Sequence, residues 1–100
     1  MHVELLYFDG CPNWQETEQR LLTVLAQSGT EAALTYVHVN SPEDAERLAF
    51  RGSPTVLVDG RDPFASPEDP VGLSCRVFRT HDGLQGTPTV AQLREALEGR

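Results

Sequence analysis

The stretch Val3-Glu4-Leu5-Leu6-Tyr7-Phe8-Asp9-Gly10-Cys11-Pro12-Asn13-Trp14 decides the architecture of this chain. Its first half is a short apolar run that ends at the turn pair Asp9-Gly10, which favours a buried strand over a helix. From Pro12 the period changes. Trp14, Leu21, Val24 and Leu25 share one helical face, and Glu16, Glu18 and Arg20 fall largely away from it. Proline suits a first helical turn, where its missing N–H costs nothing, and Gly29 is a natural stop. A strand thus runs through a turn into a helix, with a cysteine at the junction.

Outward from this unit the pattern repeats. Leu34 to Val39 is rich in β-branched and aromatic residues and reads as a second strand. Ser41-Pro42-Glu43-Asp44 combines a capping hydroxyl, a first-turn proline and acids at the positive end of the helix dipole. That predicts a short helix, with Ala45, Leu48 and Ala49 inward, ending near Gly52. Thr55 to Val58 is a third strand closed by Asp59-Gly60. Residues 61–74 hold three prolines and no period, a connection longer than usual. Cys75 to Thr80 reads as a fourth strand. Thr89 with Gln92 predicts a capping box before a last helix carrying Val90, Leu93 and Leu97.

The predicted fold is α/β in the order β-α-β-α-β-β-α: a four-stranded mixed sheet with helices on both faces. With 100 residues it is one domain, residues 1–100, with 61–74 as a long loop. The formal net charge is −7, and the arginines form no basic run, which argues against nucleic acid as a partner. No apolar stretch approaches a membrane span, so no membrane partner is expected. The first residues carry acids and lack a basic start and cleavage site, which makes the cytoplasm the expected compartment. In that compartment Cys11 and Cys75 are expected to be reduced. Closed zinc sites use four ligands, and the histidines show no ligand spacing with either cysteine, so no metal site is expected.

Two segments together resemble the thioredoxin-like superfamily. One is Tyr7-Phe8-Asp9-Gly10-Cys11-Pro12-Asn13-Trp14, with its cysteine directly before a helix. The other is Gly52-Ser53-Pro54-Thr55-Val56 before the third strand. The resemblance implies a thioredoxin-like fold, a cis Ser53–Pro54 bond facing Cys11, and catalysis at Cys11. It also implies substrate contacts from Pro12, Trp14, Ser53 and Pro54, with Ser53 offering backbone groups to an extended thiol peptide. Asp9 is a turn former and a candidate for proton handling. A cysteine at a helix N-terminus has its thiolate favoured by the free N–H groups, and the surrounding acids oppose this.

The departure from the family is Trp14, which stands where redox members carry a second cysteine. An indole cannot resolve a mixed disulfide, so the resemblance points to monothiol exchange like that of single-cysteine glutaredoxins. No cofactor is bound; a low-molecular-weight thiol serves as co-substrate, and protein or small-molecule thiols and disulfides are the partners. Cys75 is the second candidate thiol. If strand four formed a simple hairpin with strand three, Cys75 would lie near Asp59, roughly 15 Å from Pro54 at 3.3 Å per residue. A disulfide needs Cα atoms within about 7 Å. Only a different register, or a 61–74 loop carrying the strand start toward Pro54, brings the two together. The alternatives are a non-catalytic binding protein with the fold retained, or a soft-metal or organomercurial handler using Cys11 with Cys75. The second alternative resembles small thioredoxin-like proteins grouped with alkylmercury lyases.

Overall fold

The computed structural model describes residues 1–29, 31–66 and 69–98. Its elements are β1 (His2–Tyr7), α1 (Asn13–Ser28), β2 (Ala33–His38), α2 (Pro42–Arg47), β3 (Thr55–Val58), β4 (Phe78–Thr80), β5 (Gly83–Gln85) and α3 (Val90–Glu98). β1 pairs in parallel with β2, with Tyr7 opposite His38, and antiparallel with β3, with Leu5 opposite Val56. The three form a mixed sheet in the order β2-β1-β3.

Alternation along β1 divides the core. Val3 and Leu5 point to one face, where Leu21 and Val24 of α1 and Leu93 and Leu97 of α3 pack on them. Leu6 points to the other face, with Val39, Phe50 and Ala45 of α2. Each of these side chains contributes about 1.5–3 kcal/mol by leaving water. The helix ends follow the sequence signals. Gly29 closes α1 in a left-handed conformation, φ 68°. Ser41 Oγ accepts the Asp44 N–H at 3.1 Å at the start of α2. At α3, Thr89 Oγ1 accepts the Gln92 N–H at 3.0 Å and Gln92 Oε1 accepts the Thr89 N–H at 2.9 Å, the capping box in full. α2 ends at Arg47, earlier than Gly52, because Ala49 turns to a positive φ of 53°.

The expected fourth strand of the sheet is a correction. Cys75 does not begin a strand beside β3; its one pairing there is an isolated parallel bridge to Ser53. β4 starts three residues later and pairs antiparallel with β5, a strand absent from the sequence reading. Gly83-Leu84-Gln85 has no alternating pattern to announce it, and its side chains are all exposed.

Loop 61–74 sets this arrangement, and residues 67 and 68 within it lie outside the described residues. Asp62 is no solvated acid. It takes two hydrogen bonds from the Arg76 guanidinium, at 2.7 and 3.3 Å, with only 12% of its side chain exposed against 4% for Arg76. Arg76 also donates to Thr55 Oγ1 at 3.3 Å and sits 4.9 Å from the Phe78 ring centroid. From the other side Arg51 donates to the carbonyls of Ser66 and Asp69, and Gly72 N–H donates to Phe50 O. The loop is drawn back across the sheet end, and Ser74-Cys75-Arg76 runs alongside Ser53.

A buried charge stripped of its partner costs about 3–5 kcal/mol. Asp69 Oδ2, 3.9 Å from Arg76 Nη2, keeps a second carboxylate by the guanidinium, so Asp62→Ala is expected to lower the urea unfolding free energy by about 3 kcal/mol or less. Glu16→Ala, which breaks the exposed pair with Arg20, costs no more than about 1 kcal/mol.

Candidate functional site

Cys11 lies between β1 and α1, with its N–H donating to Phe8 O at 3.3 Å. The helix begins at Asn13 with Pro12 as its N-cap and no side-chain cap; Gln15 N–H donates to Pro12 O at 3.1 Å, and Glu16 in the first turn faces the positive dipole end. That end is held by the segment before α3. Thr17 Oγ1 is 2.6 Å from Thr87 Oγ1, both residues being buried, and Arg20 donates to Pro88 O at 2.9 Å. Cys11 itself is 0% exposed.

Its sulfur is covered by the other cysteine. Cys11 and Cys75 are joined in a disulfide, with Cα atoms 5.6 Å apart across 64 residues of chain. The separation of roughly 15 Å drawn from a simple hairpin does not hold. The loop returns Cys75 to the Pro54 end of β3 instead of pairing it near Asp59. Ser53 N–H donates to Ser74 O at 2.8 Å and Arg76 N–H donates to Ser53 O at 2.9 Å. These two bonds place Cys75 beside Ser53, and Cys11 Sγ lies 3.6 Å from the same Ser53 carbonyl oxygen. In the thiol form Cys11 could donate its S–H to that oxygen; in the disulfide it carries no proton.

Gly52 permits this approach. Its φ is 111°, where L side chains are strained, and an added Cβ would stand 3.0 Å from Ser74 O and 3.1 Å from Arg76 Cβ. The residue is buried among groups that leave no room for a methyl.

The other predicted residues divide. The Ser53–Pro54 bond is cis, as the resemblance implies. Ser53 and Pro54 are buried, and both backbone hydrogen-bonding groups of Ser53 are engaged by the chain's own residues 74–76. Pro12 is exposed. Trp14 is half-buried and stacks on Tyr7 with ring centroids 4.4 Å apart. Tyr7 stacks in turn on His38 at 5.0 Å. Asp9 is exposed, and its carboxylate lies 3.0 Å from His38 Nε2, an ion pair when the imidazole is protonated.

Sequence reasoning missed His38 and Arg76 as neighbours of this end of the sheet. The parallel β1–β2 register, with Tyr7 opposite His38, was the available signal for the histidine. No local pattern marked Arg76, whose partner Asp62 is 14 residues away. Among the described residues no group of three or more His, Cys, Asp or Glu stands together as a metal cage, and no helix is long and apolar enough to cross a membrane.

Besides the disulfide, the Ser53 hydrogen bonds to Ser74 and Arg76 and the Arg76–Asp62 ion pair hold the segment that carries Cys75. Gly52→Ala is expected to push the 74–76 segment outward at a cost of about 1–3 kcal/mol of backbone strain. The loss is expected in both the oxidised and the reduced protein, read as a lower urea unfolding free energy of each, since the contacts an added Cβ would make with Ser74 and Arg76 do not depend on the sulfur–sulfur bond.

Compared with family models, curated proteins and solved structures, the chain matches none.

Proposed function

We propose that this protein is a thioredoxin-like thiol–disulfide exchange protein whose redox couple is the pair Cys11 and Cys75. The observation that carries the reading is the bond between them, formed at a helix start beside the Ser53–Pro54 loop. The parallel β1–β2 pair spanned by α1, with β3 antiparallel on the other side of β1, also supports it. The monothiol cycle expected from the sequence changes in one respect: a resolving thiol is supplied by the same chain. A small thiol or a protein dithiol remains the partner that supplies or takes the electrons.

The cycle balances as two exchanges. One protein thiolate attacks a substrate disulfide RS–SR′, an S–S bond forms between protein and RS, and R′S⁻ leaves. The second protein thiolate attacks the protein sulfur of that mixed disulfide, RS⁻ leaves, and the Cys11–Cys75 bond closes. The substrate has gained two electrons and two protons, and the protein has lost them. In the cytoplasm, the compartment the sequence leads us to expect, a disulfide of this kind belongs to a catalytic or sensing thiol pair more often than to a structural staple.

A second reading uses the same adjacency. In the reduced protein two sulfurs at this separation could hold a soft cation such as mercury between them, the organomercurial-handling alternative. Two adjacent thiols take up one mercury equivalent on either reading, so the metal reading is favoured only where that equivalent still protects both cysteines from alkylation in a large excess of glutathione.

The exchange reading is tested by equilibrating the folded protein in glutathione buffers of graded ratio. A single reversible two-electron transition is expected, with far-UV circular dichroism unchanged and only one-thiol adducts remaining in Cys75→Ser. A bond that opens only after unfolding would identify a structural crosslink and overturn the proposal.

A further inference from the structure

We infer that Cys75, not the helix-start Cys11, is the sulfur that meets the substrate, and that Cys11 is the buried leaving and resolving group. This assignment rests on the exchange reading above. It reverses the roles that the resemblance assigns, where the cysteine before the helix makes the first attack.

Access decides it. Thiol–disulfide exchange needs the incoming thiolate to reach one sulfur of the bond, in line with the other. Cys11 is 0% exposed, so none of its atoms can be approached from solvent. Cys75 is exposed and lies over it. Along 75–79 the burial alternates: Arg76 and Phe78 turn inward, while Cys75, Val77 and Arg79 are exposed. The alternation turns Cys75 away from the side on which Arg76 is buried against Asp62 and leaves the residue exposed, while its sulfur reaches down to Cys11.

Reduction does not uncover Cys11. The two Ser53 hydrogen bonds and the Arg76–Asp62 ion pair do not depend on the S–S bond, and they hold the 74–76 segment over Cys11 in the reduced protein on this assignment. The Cys11 thiolate is released beside the start of α1, where the positive end of the helix dipole favours negative charge, with burial and Glu16 opposing it. In the reductive direction, a thiolate RS⁻ attacks Cys75 Sγ, the RS–S bond to Cys75 forms, and the electron pair of the broken bond leaves on Cys11. A second RS⁻ then attacks the RS sulfur, releasing RS–SR and the Cys75 thiolate.

The test traps the first adduct. Oxidised wild-type protein is mixed with reduced glutathione, quenched with acid at short times, alkylated and mapped by peptide mass spectrometry. Glutathione on Cys75 with alkylatable Cys11 is expected; early glutathione on Cys11 overturns the assignment. The variants give an independent measure with glutathione disulfide. Cys11→Ser, which leaves Cys75, should form its mixed disulfide at least tenfold faster than Cys75→Ser, which leaves Cys11. Equal rates, or a faster Cys75→Ser, sink the assignment while leaving the exchange reading intact. A wild-type bond inert to glutathione at every ratio sinks both.

Discussion

The ion pair between Arg76 and Asp62 is the constraint on which the site depends. A guanidinium with 4% of its side chain exposed requires a partner carboxylate, and Asp62 answers it from the start of the long loop. Once that pair forms, the next residues have little choice. Arg76 N–H meets Ser53 O, Ser74 O meets Ser53 N–H, and the cysteine between them arrives above Cys11. A polar interaction 14 residues in span thus sets a sulfur–sulfur contact 64 residues in span. Placement of this kind gives specificity of register that apolar packing alone would not supply, since a one-residue slip would turn Cys75 inward and Arg76 out.

Much of the framework was legible in the sequence because it is encoded locally. Apolar and β-branched runs bounded by turn residues marked β1, β2 and β3, a 3.6-residue period marked α1, and the Ser41 cap and the Thr89–Gln92 box wrote the later helix starts in four-residue words. The candidate site was half legible. Cys11 at a helix start and Ser53–Pro54 before β3 are local patterns, and the fold brings them together. The partner of Cys11 was not legible. The expected hairpin assumed that consecutive extended segments pair, whereas Arg76 and Arg51 draw the intervening loop back over the sheet end. The β4–β5 hairpin was missed for a different reason: Gly83-Leu84-Gln85 buries nothing and so carries no hydrophobic signature.

Trp14 takes a second role in this light. The Trp14 indole packs against Tyr7, and Tyr7 against His38, a row of stacked rings at the end of β1 and the start of α1. Such stacks add about 0.5–1.5 kcal/mol per aromatic pair beyond area burial and stiffen the turn that carries Asp9 and Gly10. The second sulfur stands on the segment between loop 61–74 and β4, and Trp14 contributes packing.

The 64-residue separation of the cysteines couples oxidation state to the life of the fold. Crosslinking a loop of that length removes about 4 kcal/mol of chain entropy from the unfolded ensemble, a large fraction of the stability of a domain this small. Reductant, heat and protease therefore act on one shared axis: each electron pair delivered to the protein also loosens its hold on the native state. The reduced chain is the form more readily opened to proteolysis.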